Sequence, residues 1–188
     1  LAGSSAIITA CMRALMSFFQ VKIPRPVLAS LVLSVENDEL QISAGLQDRV
    51  AQAYEGLVYM DFDKKLMTSQ GHGRYLEMDE SQLPSLYIAY MADLSELSDV
   101  FHNNIRERFN RKEKAVMNAM KYWAELTEDV RDAISSGKGS SIGELLNKNF
   151  DRRKSIYKIS DANLDMVTSA RAVGASAKFT GSGGAIVG

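Results

Sequence analysis

The feature that most constrains this chain is its start, where Gly3-Ser4-Ser5 runs directly into the apolar residues 7–19. Glycine lets a backbone turn and approach a ligand closely, and either serine can cap a helix. The first-turn N–H groups and the positive end of the helix dipole then face an anion. The sequence predicts a buried helix that begins either at a phosphate loop or at an ordinary N-cap.

A second loop rich in small residues lies at the other end, where Lys178-Phe179-Thr180-Gly181-Ser182-Gly183-Gly184 precedes the apolar residues 185–187. Taken alone it predicts a β-hairpin turn in which glycine supplies positive φ. Two such loops, one opening a helix and one joining strands, suit a cleft that closes on phosphates from both sides.

Composition narrows the class of protein without naming a function. The 188 residues are 46% hydrophobic and carry a net charge of −1, so the chain can bury a core but offers no electrostatic case for binding nucleic acid or an anionic membrane. Cys11 stands alone, which excludes a disulfide within the chain, and its apolar surroundings predict core packing. We find neither a membrane-spanning run nor a basic leader, and expect a cytoplasmic protein.

Hydrophobic periodicity predicts strands among the first 92 residues and mostly helix afterwards. We expect helices at 6–19, 27–39, 44–54, 97–110, 112–136, 140–157 and 161–173, strands at 56–62, 74–78 and 85–91, and a loop at 64–73. The apolar stripe of the second helix is predicted at Val27, Leu28, Leu31, Val32 and Val35. This pattern predicts an α+β fold.

Five segments together resemble the GHMP kinase family, and most of all its plant-type glucuronokinase branch. LAGSSA at 1–6 resembles the end of the family's central ATP-binding motif, and KFTGSGG at 178–184 its third motif. AGLQDRVAQ at 44–52 and GLVYMDF at 56–62 resemble the segment with the catalytic aspartate, and NFDRR at 149–153 agrees with them. The resemblance covers essentially the whole chain in the right order.

The resemblance implies a GHMP kinase fold, in which a mixed sheet with a left-handed βαβ crossover is followed by a helix-rich C-terminal lobe. Residues 1–92 are expected to be the remainder of the N-terminal domain and residues 93–188 the C-terminal domain. Relative to the family, the chain is expected to be truncated at both ends, with part of the nucleotide site missing.

The resemblance also implies a reaction, the ATP-dependent phosphorylation of the anomeric hydroxyl of D-glucuronate, with Mg²⁺ as the metal. Asp48 is expected to act on the acceptor hydroxyl. Ser5 and Glu36 are expected to hold the metal, with Glu39 as the fallback, although Glu36 also fits a solvated charge. The expected nucleotide-binding residues are Gly3, Ser4, Ser5, Gly181, Ser182, Gly183 and Gly184.

An anionic sugar needs a guanidinium group for its carboxylate. The resemblance directs this role to Arg106, Arg108 or Arg152, and Arg153 competes for it. The expected partners are therefore ATP and a sugar acid, without nucleic acid or membrane, and the oligomeric state stays open. The alternatives are another GHMP sugar kinase, of the heptose, galactose or fucose type, and a GHMP-derived binding module without catalysis.

Overall fold

The computed structural model describes residues 2–42, 44–92 and 105–188. The chain divides into two compact units, Leu1–Glu80 and Ser81–Gly188, which are described separately below. The predicted domain boundary after residue 92 adjoins residues 93–104, which lie outside the described part, and it stays a prediction. None of the helices in the described ranges is long and apolar enough to cross a membrane.

The first unit combines helices with one antiparallel strand pair. Its elements are α1 (Gly3–Phe18), α2 (Arg25–Ser34), a π-helical turn (Val35–Glu39), α3 (Leu46–Tyr54), β1 (Val58–Asp61), α4 (Lys64–Gln70) and β2 (Arg74–Glu77). β1 and β2 pair with Val58 opposite Glu77 and Asp61 opposite Arg74. A 3₁₀ turn, Glu80–Gln82, follows in sequence.

The core of the first unit lies between α2 and α3. Leu28 and Val32 of α2 pack with Val50 and Ala53 of α3, and Tyr75 of β2 completes the cluster. The predicted stripe of α2 is therefore correct at Leu28 and Val32. It is wrong at two other positions, which are 42% and 38% exposed (Val27 and Leu31).

Helix α1 forms where predicted but is not a buried helix. Ser5 and Thr9 are its buried residues, whereas Phe18 is 79% exposed and Cys11 is also exposed. Apolar residues on nearly every face of a helix permit complete burial, but within this unit α2 and α3 pack against only part of α1. The predictions of a buried helix and of a core cysteine are both wrong here.

Residues 64–70, predicted as a loop, form the helix α4. The Asp63 carboxylate accepts hydrogen bonds from the backbone N–H groups of Lys65 at 2.9 Å and Leu66 at 3.2 Å. Gly71, with φ of 76°, ends the helix in the left-handed conformation. The prediction missed this cap because the apolar periodicity of so short a helix is weak.

The second unit contains most of the helix. After strand β3 (Ile88–Tyr90), residues 105–110 are helical, and α5 (Lys114–Ser135), a 3₁₀ turn (Gly139–Ser141), α6 (Ile142–Lys154), α7 (Asp161–Ala172), β4 (Lys178–Phe179) and β5 (Ala185–Val187) follow. The strands form an antiparallel sheet in the order β3-β5-β4. The predicted hairpin around the glycine loop is confirmed, because β4 pairs directly with β5.

Two clusters form the core of the second unit. Phe150 and Phe179 meet with their ring centroids 5.1 Å apart and pack with Val167, Ala177 and Ile186. The other cluster joins Ile105, Val116, Ala119 and Ile156. The α+β class is confirmed. Every strand pair in the described residues is antiparallel, so the mixed sheet with its left-handed crossover is not seen there.

Candidate active site

The start of α1 is shaped by Ala2 rather than by Gly3 or a serine cap. Ala2 is the N-cap residue and adopts the left-handed conformation, with φ of 48°, and its side chain gives no cap hydrogen bond. Ser4 and Ser5 lie inside the first turn, so the prediction that one of them caps the helix is wrong. A Cβ on Gly3 would meet nothing within 4 Å, so the space beside it is open within this unit.

The two serines face different surroundings. The hydroxyl of Ser5 is fully buried, where it donates to the Ala2 carbonyl at 3.0 Å and accepts from Gln52 Nε2 at 2.9 Å. Ser4 is exposed, and its Oγ donates to Glu36 Oε1 at 2.7 Å. The predicted metal pair, Ser5 with Glu36, is therefore not brought together by a direct contact; Ser4 occupies the position beside Glu36.

Glu36 is the most deeply buried charged residue of the site, with 0% exposure. It lies in the π-helical turn, where the Leu40 N–H donates to the Val35 carbonyl at 3.0 Å. A π turn is wider than an α turn, so the side chains within it rotate away from the continuing α-helical pattern. The reading of Glu36 as a solvated charge is wrong, whereas the fallback Glu39 is exposed.

Arg49 compensates the buried charge of Glu36. Its guanidinium forms an ion pair with Glu36 Oε2 while only 7% of the Arg49 side chain is exposed, and its Nη1 also donates to the Gly45 carbonyl at 3.0 Å. Burying a charged group is costly unless it is paired and hydrogen-bonded. Arg49 supplies the counter-charge, and together Arg49 and Ser4 engage both carboxylate oxygens.

Asp48, the predicted catalytic residue, lies in the first turn of α3 with 56% of its side chain exposed. Its Oδ2 is 3.5 Å from Arg49 Nη1, so one guanidinium contacts both the buried Glu36 and the exposed Asp48. The dipole of α3 also favours a carboxylate at this end. The structure thus joins Asp48 to Glu36 through Arg49, and Ser4 to Glu36 by a direct hydrogen bond.

The donor set around Glu36 fits a Mg²⁺ ion. Ser4 Oγ and Glu36 Oε1 are oxygen atoms of the kind that Mg²⁺ prefers, and an ion held by both would replace the 2.7 Å hydrogen bond that joins them. Among the described residues, no group of three or more His, Cys, Asp or Glu side chains is placed to hold a metal. Water and phosphate oxygens would have to supply the remaining ligands, as is usual for this ion.

In the second unit, the glycine loop is held by side chains from two helices. Arg153 of α6 donates from Nη1 to the Gly181 carbonyl at 3.0 Å and from Nη2 to the Ser182 carbonyl at 3.1 Å. Asn163 of α7 accepts from the Gly184 N–H at 2.7 Å. A Cβ on Gly183 would lie only 3.0 Å from Asn163 Oδ1, so this position needs glycine.

Lys178 stands at the start of the same hairpin. Its Nζ donates to the Phe179 carbonyl at 2.7 Å. Burial lowers the pKa of Lys178 below its ordinary value, and the positive charge of Arg153 lowers that pKa further. Two cationic groups therefore lie close to the loop, and one of them is poorly solvated.

The arginines predicted for the sugar carboxylate differ in their availability. Arg108 uses all three guanidinium nitrogens: Nε and Nη2 bind Glu113 at 2.8 and 2.6 Å, and Nη1 donates to the Ile156 carbonyl at 2.6 Å. The Glu113 carboxylate raises the pKa of Arg108. Arg106 is exposed, and Arg152 lies over the Tyr122 ring with its Cζ 4.8 Å from the centroid.

Sequence reasoning missed the roles of several polar residues that hold these loops. They are Arg49, Gln52, Arg153 as a loop-binding residue, and Asn163. Asn163 is 1% exposed in a helix whose apolar pattern gives no reason to bury it. The one available signal was spacing, since Gln52 follows Asp48 by one helical turn and so lies on the same side of α3.

Comparison with known proteins identifies what the chain is similar to. Residues 1–56 match the GHMP kinases N terminal domain. Over its whole length the chain is 44% identical to glucuronokinase 1 and 42% identical to probable glucuronokinase 2, both of Arabidopsis thaliana. The chain spans about half of these relatives, 52% of the length of each.

A solved structure supports the fold. The crystal structure of a D-glycero-D-manno-heptose 1-phosphate kinase from Bacteroides thetaiotaomicron superposes with a TM-score of 0.67, over 97% of this chain and 50% of that one, at 18% identity. At that identity the likeness concerns the fold alone. The predicted resemblance is therefore confirmed: the chain has the fold of a GHMP kinase, carries the family's N-terminal domain match at residues 1–56, and is similar to plant glucuronokinases along its entire length.

Proposed function

We propose that the protein, at the length of its glucuronokinase relatives, transfers the terminal phosphoryl group of ATP to the anomeric hydroxyl of D-glucuronate and forms glucuronate 1-phosphate. The observation that carries this proposal is the connected set Ser4, Glu36, Arg49 and Asp48. It joins the first turn of α1 to the first turn of α3. Phosphoryl transfer depends mainly on positioning and charge neutralisation, which such a set can provide.

The first turn of α1 is proposed to bind the phosphates. The first N–H groups of a helix have no partner within that helix, and the helix dipole favours an anion beside them. The absence of a side chain on Gly3 keeps the approach open. The loop Gly181 to Gly184 of the second unit is proposed separately as a phosphate-binding segment, in which Asn163 already accepts from the Gly184 N–H.

Ser4 and Glu36 are the residues that would hold Mg²⁺, through Oγ and Oε1. When bound, the ion neutralises charge on the phosphates. Ser4 replaces Ser5 in this proposal because the Ser5 hydroxyl is buried and engaged with Ala2 and Gln52. Arg49 keeps its bond to Glu36 Oε2, so Oε1 remains the oxygen available to a cation.

Asp48 is proposed to accept the proton of the sugar hydroxyl. More than half of its side chain is exposed, so a substrate can reach it. Arg49 Nη1 lies 3.5 Å from Asp48 Oδ2 and links this carboxylate to the rest of the set. The sugar carboxylate is proposed to bind Arg106 or Arg152, because all three guanidinium nitrogens of Arg108 already donate to Glu113 or to the Ile156 carbonyl. Stacking on Tyr122 occupies the face of the Arg152 guanidinium but leaves its N–H edge for a bidentate contact.

The test is ADP production by the protein at the length of its relatives, with Mg·ATP and glucuronate, galacturonate, glucose, galactose or a heptose phosphate. We expect turnover on glucuronate and a loss of about 10²-fold or more in kcat for Asp48→Asn. Asp38→Asn is the matched control, since Asp38 is an exposed carboxylate of the same unit.

Each other result identifies one of the alternatives. Turnover on a neutral sugar or a heptose phosphate would indicate another GHMP sugar kinase. Binding of Mg·ATP with no turnover on any sugar would favour a non-catalytic binding module. Normal turnover by Asp48→Asn would remove Asp48 from the mechanism.

A further inference from the structure

A polar cluster with Gln52 at its centre joins α3 to the start of α1. Gln52 Nε2 donates to the Ala2 carbonyl at 3.2 Å and to Ser5 Oγ at 2.9 Å, and its Oε1 accepts from Thr9 Oγ1 at 3.3 Å. Ser5 is 0% and Thr9 3% exposed. Buried hydroxyls need such partners, and a satisfied network of this kind fixes one arrangement of the elements that carry it.

Ala2 is the residue whose geometry this cluster controls. The left-handed conformation is unfavourable for alanine and persists only where its surroundings enforce it. Three donors converge on the Ala2 carbonyl: the Ala6 N–H at 3.2 Å, Ser5 Oγ at 3.0 Å and Gln52 Nε2 at 3.2 Å. The first two belong to α1 itself, so Gln52 is the donor that ties this turn to another helix.

We infer that Gln52 is the positioning residue of the phosphate-binding end of α1. Gln52 follows Asp48 by one turn of α3. The same short helix therefore carries the proposed catalytic carboxylate of Asp48 and the side chain that holds the first turn of α1. Arg13 strengthens this junction, because its Nη2 donates to the Gln52 carbonyl at 2.8 Å and also pairs with Glu55 at 2.7 Å. The inference rests on the proposed function in taking the start of α1 as the nucleotide's phosphate site.

The role of Gln52 differs from that of a residue which only fills space. Loss of its amide removes the hydrogen bonds that tie the Ala2 carbonyl and Ser5 Oγ to α3, so the first turn of α1 is held less firmly against that helix, while Asp48 and the arginines keep their contacts. The effect therefore falls on nucleotide binding and spares the sugar. A space-filling residue would change both affinities together with the folding stability.

The experiment measures the affinity of the protein, at its relatives' length, for Mg·ADP by calorimetry, beside the KM for glucuronate and the melting temperature. In Gln52→Met, which keeps the length of the side chain but loses both donors, we expect Kd for Mg·ADP to rise about tenfold or more. The KM for glucuronate should stay within about twofold of the wild-type value, because Gln52 is proposed to position the nucleotide and not the sugar. Gln82→Met, the same change at an exposed glutamine, is the control.

An unchanged Kd in a folded Gln52→Met protein would overturn the inference, as would equal losses of nucleotide and sugar affinity. If Gln52→Met does not fold, Gln52→Glu replaces it in the test, because this variant keeps the acceptor oxygen and removes the amide donor. The Kd for Mg·ADP is then measured at high salt. Weaker binding than the wild type supports the inference, and unchanged binding refutes it. A wild-type protein that binds Mg·ADP but phosphorylates no sugar would refute only the proposed function, since the Kd for Mg·ADP is measured without turnover and still tests Gln52.

Discussion

The ion pair between Arg49 and Glu36 gives the sharpest prediction about stability. Glu36 is fully buried and the Arg49 side chain is 7% exposed, so removing either partner leaves a charge in a place that water hardly reaches. Breaking a buried pair in this way costs about 3–5 kcal/mol. Arg49→Met and Glu36→Leu should each lower the free energy of unfolding by about that amount.

Removing both charges should cost much less than the sum of the two single changes. A buried ion pair replaced by apolar residues of similar volume is often neutral or even stabilising, and Ser4 Oγ, the remaining partner of Glu36, is exposed and can turn to water. The expected coupling energy in the double-mutant cycle is therefore about 6–10 kcal/mol, the difference between twice the single cost and a nearly neutral double change.

The assay is urea unfolding of the wild type, the two single variants and the double variant, followed by circular dichroism with a shared m-value. Lys121→Met is the control, because Lys121 pairs with Glu125 on the exposed face of α5 and its loss should cost less than about 1 kcal/mol. Single variants that each lose less than about 1 kcal/mol, with additive effects, would refute the reasoning, since the pair would then behave as a solvated one. The double variant should fold but lose turnover, because the proposed metal-binding carboxylate is gone.

Three further predictions concern the second unit. Gly183→Ala should destabilise the protein by about 1–3 kcal/mol and weaken Mg·ADP binding, measured by urea unfolding and calorimetry, because its Cβ would lie 3.0 Å from Asn163 Oδ1. Arg108→Leu should lower the melting temperature without changing the ratio of KM values for glucuronate and glucose, whereas Arg152→Leu should raise that ratio if it binds the carboxylate. Burial lowers the pKa of Lys178 in the folded protein below its value in the unfolded chain. Between these two pKa values the unfolded chain binds more protons than the folded one, so the free energy of unfolding should rise with pH there. Lys178→Met should remove that rise; an unchanged pH profile of the unfolding free energy would contradict the assignment.

The elements of the fold were largely predictable because their signals are local. Apolar residues at helical spacing located α3, α5, α6 and α7 to within a few residues, and glycine between two apolar runs located the hairpin of β4 and β5. Local signals failed at α4, where the Asp63 cap outweighs a weak periodic pattern. They also failed for the burial of α1, because periodicity reports which faces a helix is able to bury and not which neighbours it meets.

The roles proposed for the site residues came from the family resemblance, and their contacts could not be predicted. The resemblance named a phosphate turn at Gly3, a catalytic aspartate at Asp48 and an acidic metal ligand at Glu36, and these roles stay predictions. Their connection was not predicted, because it depends on a π turn that directs Glu36 inward and on the side chain of Arg49. No single-residue propensity encodes a contact between positions 36 and 49, since it arises only when α2 and α3 pack together.

Helix α3 shows why this part of the site escapes pattern analysis. Val50 and Ala53 bury their side chains in the core, and these are the positions that periodicity identifies. Arg49 directly precedes Val50 and Gln52 directly precedes Ala53, so both lie at the edge of the buried face. A long polar side chain at such an edge can reach a neighbouring helix and still find partners for its polar group. Residues at such an edge look like solvated surface in a sequence. In a site that depends on positioning, the edge of the buried face is therefore where unassigned polar residues should first be sought.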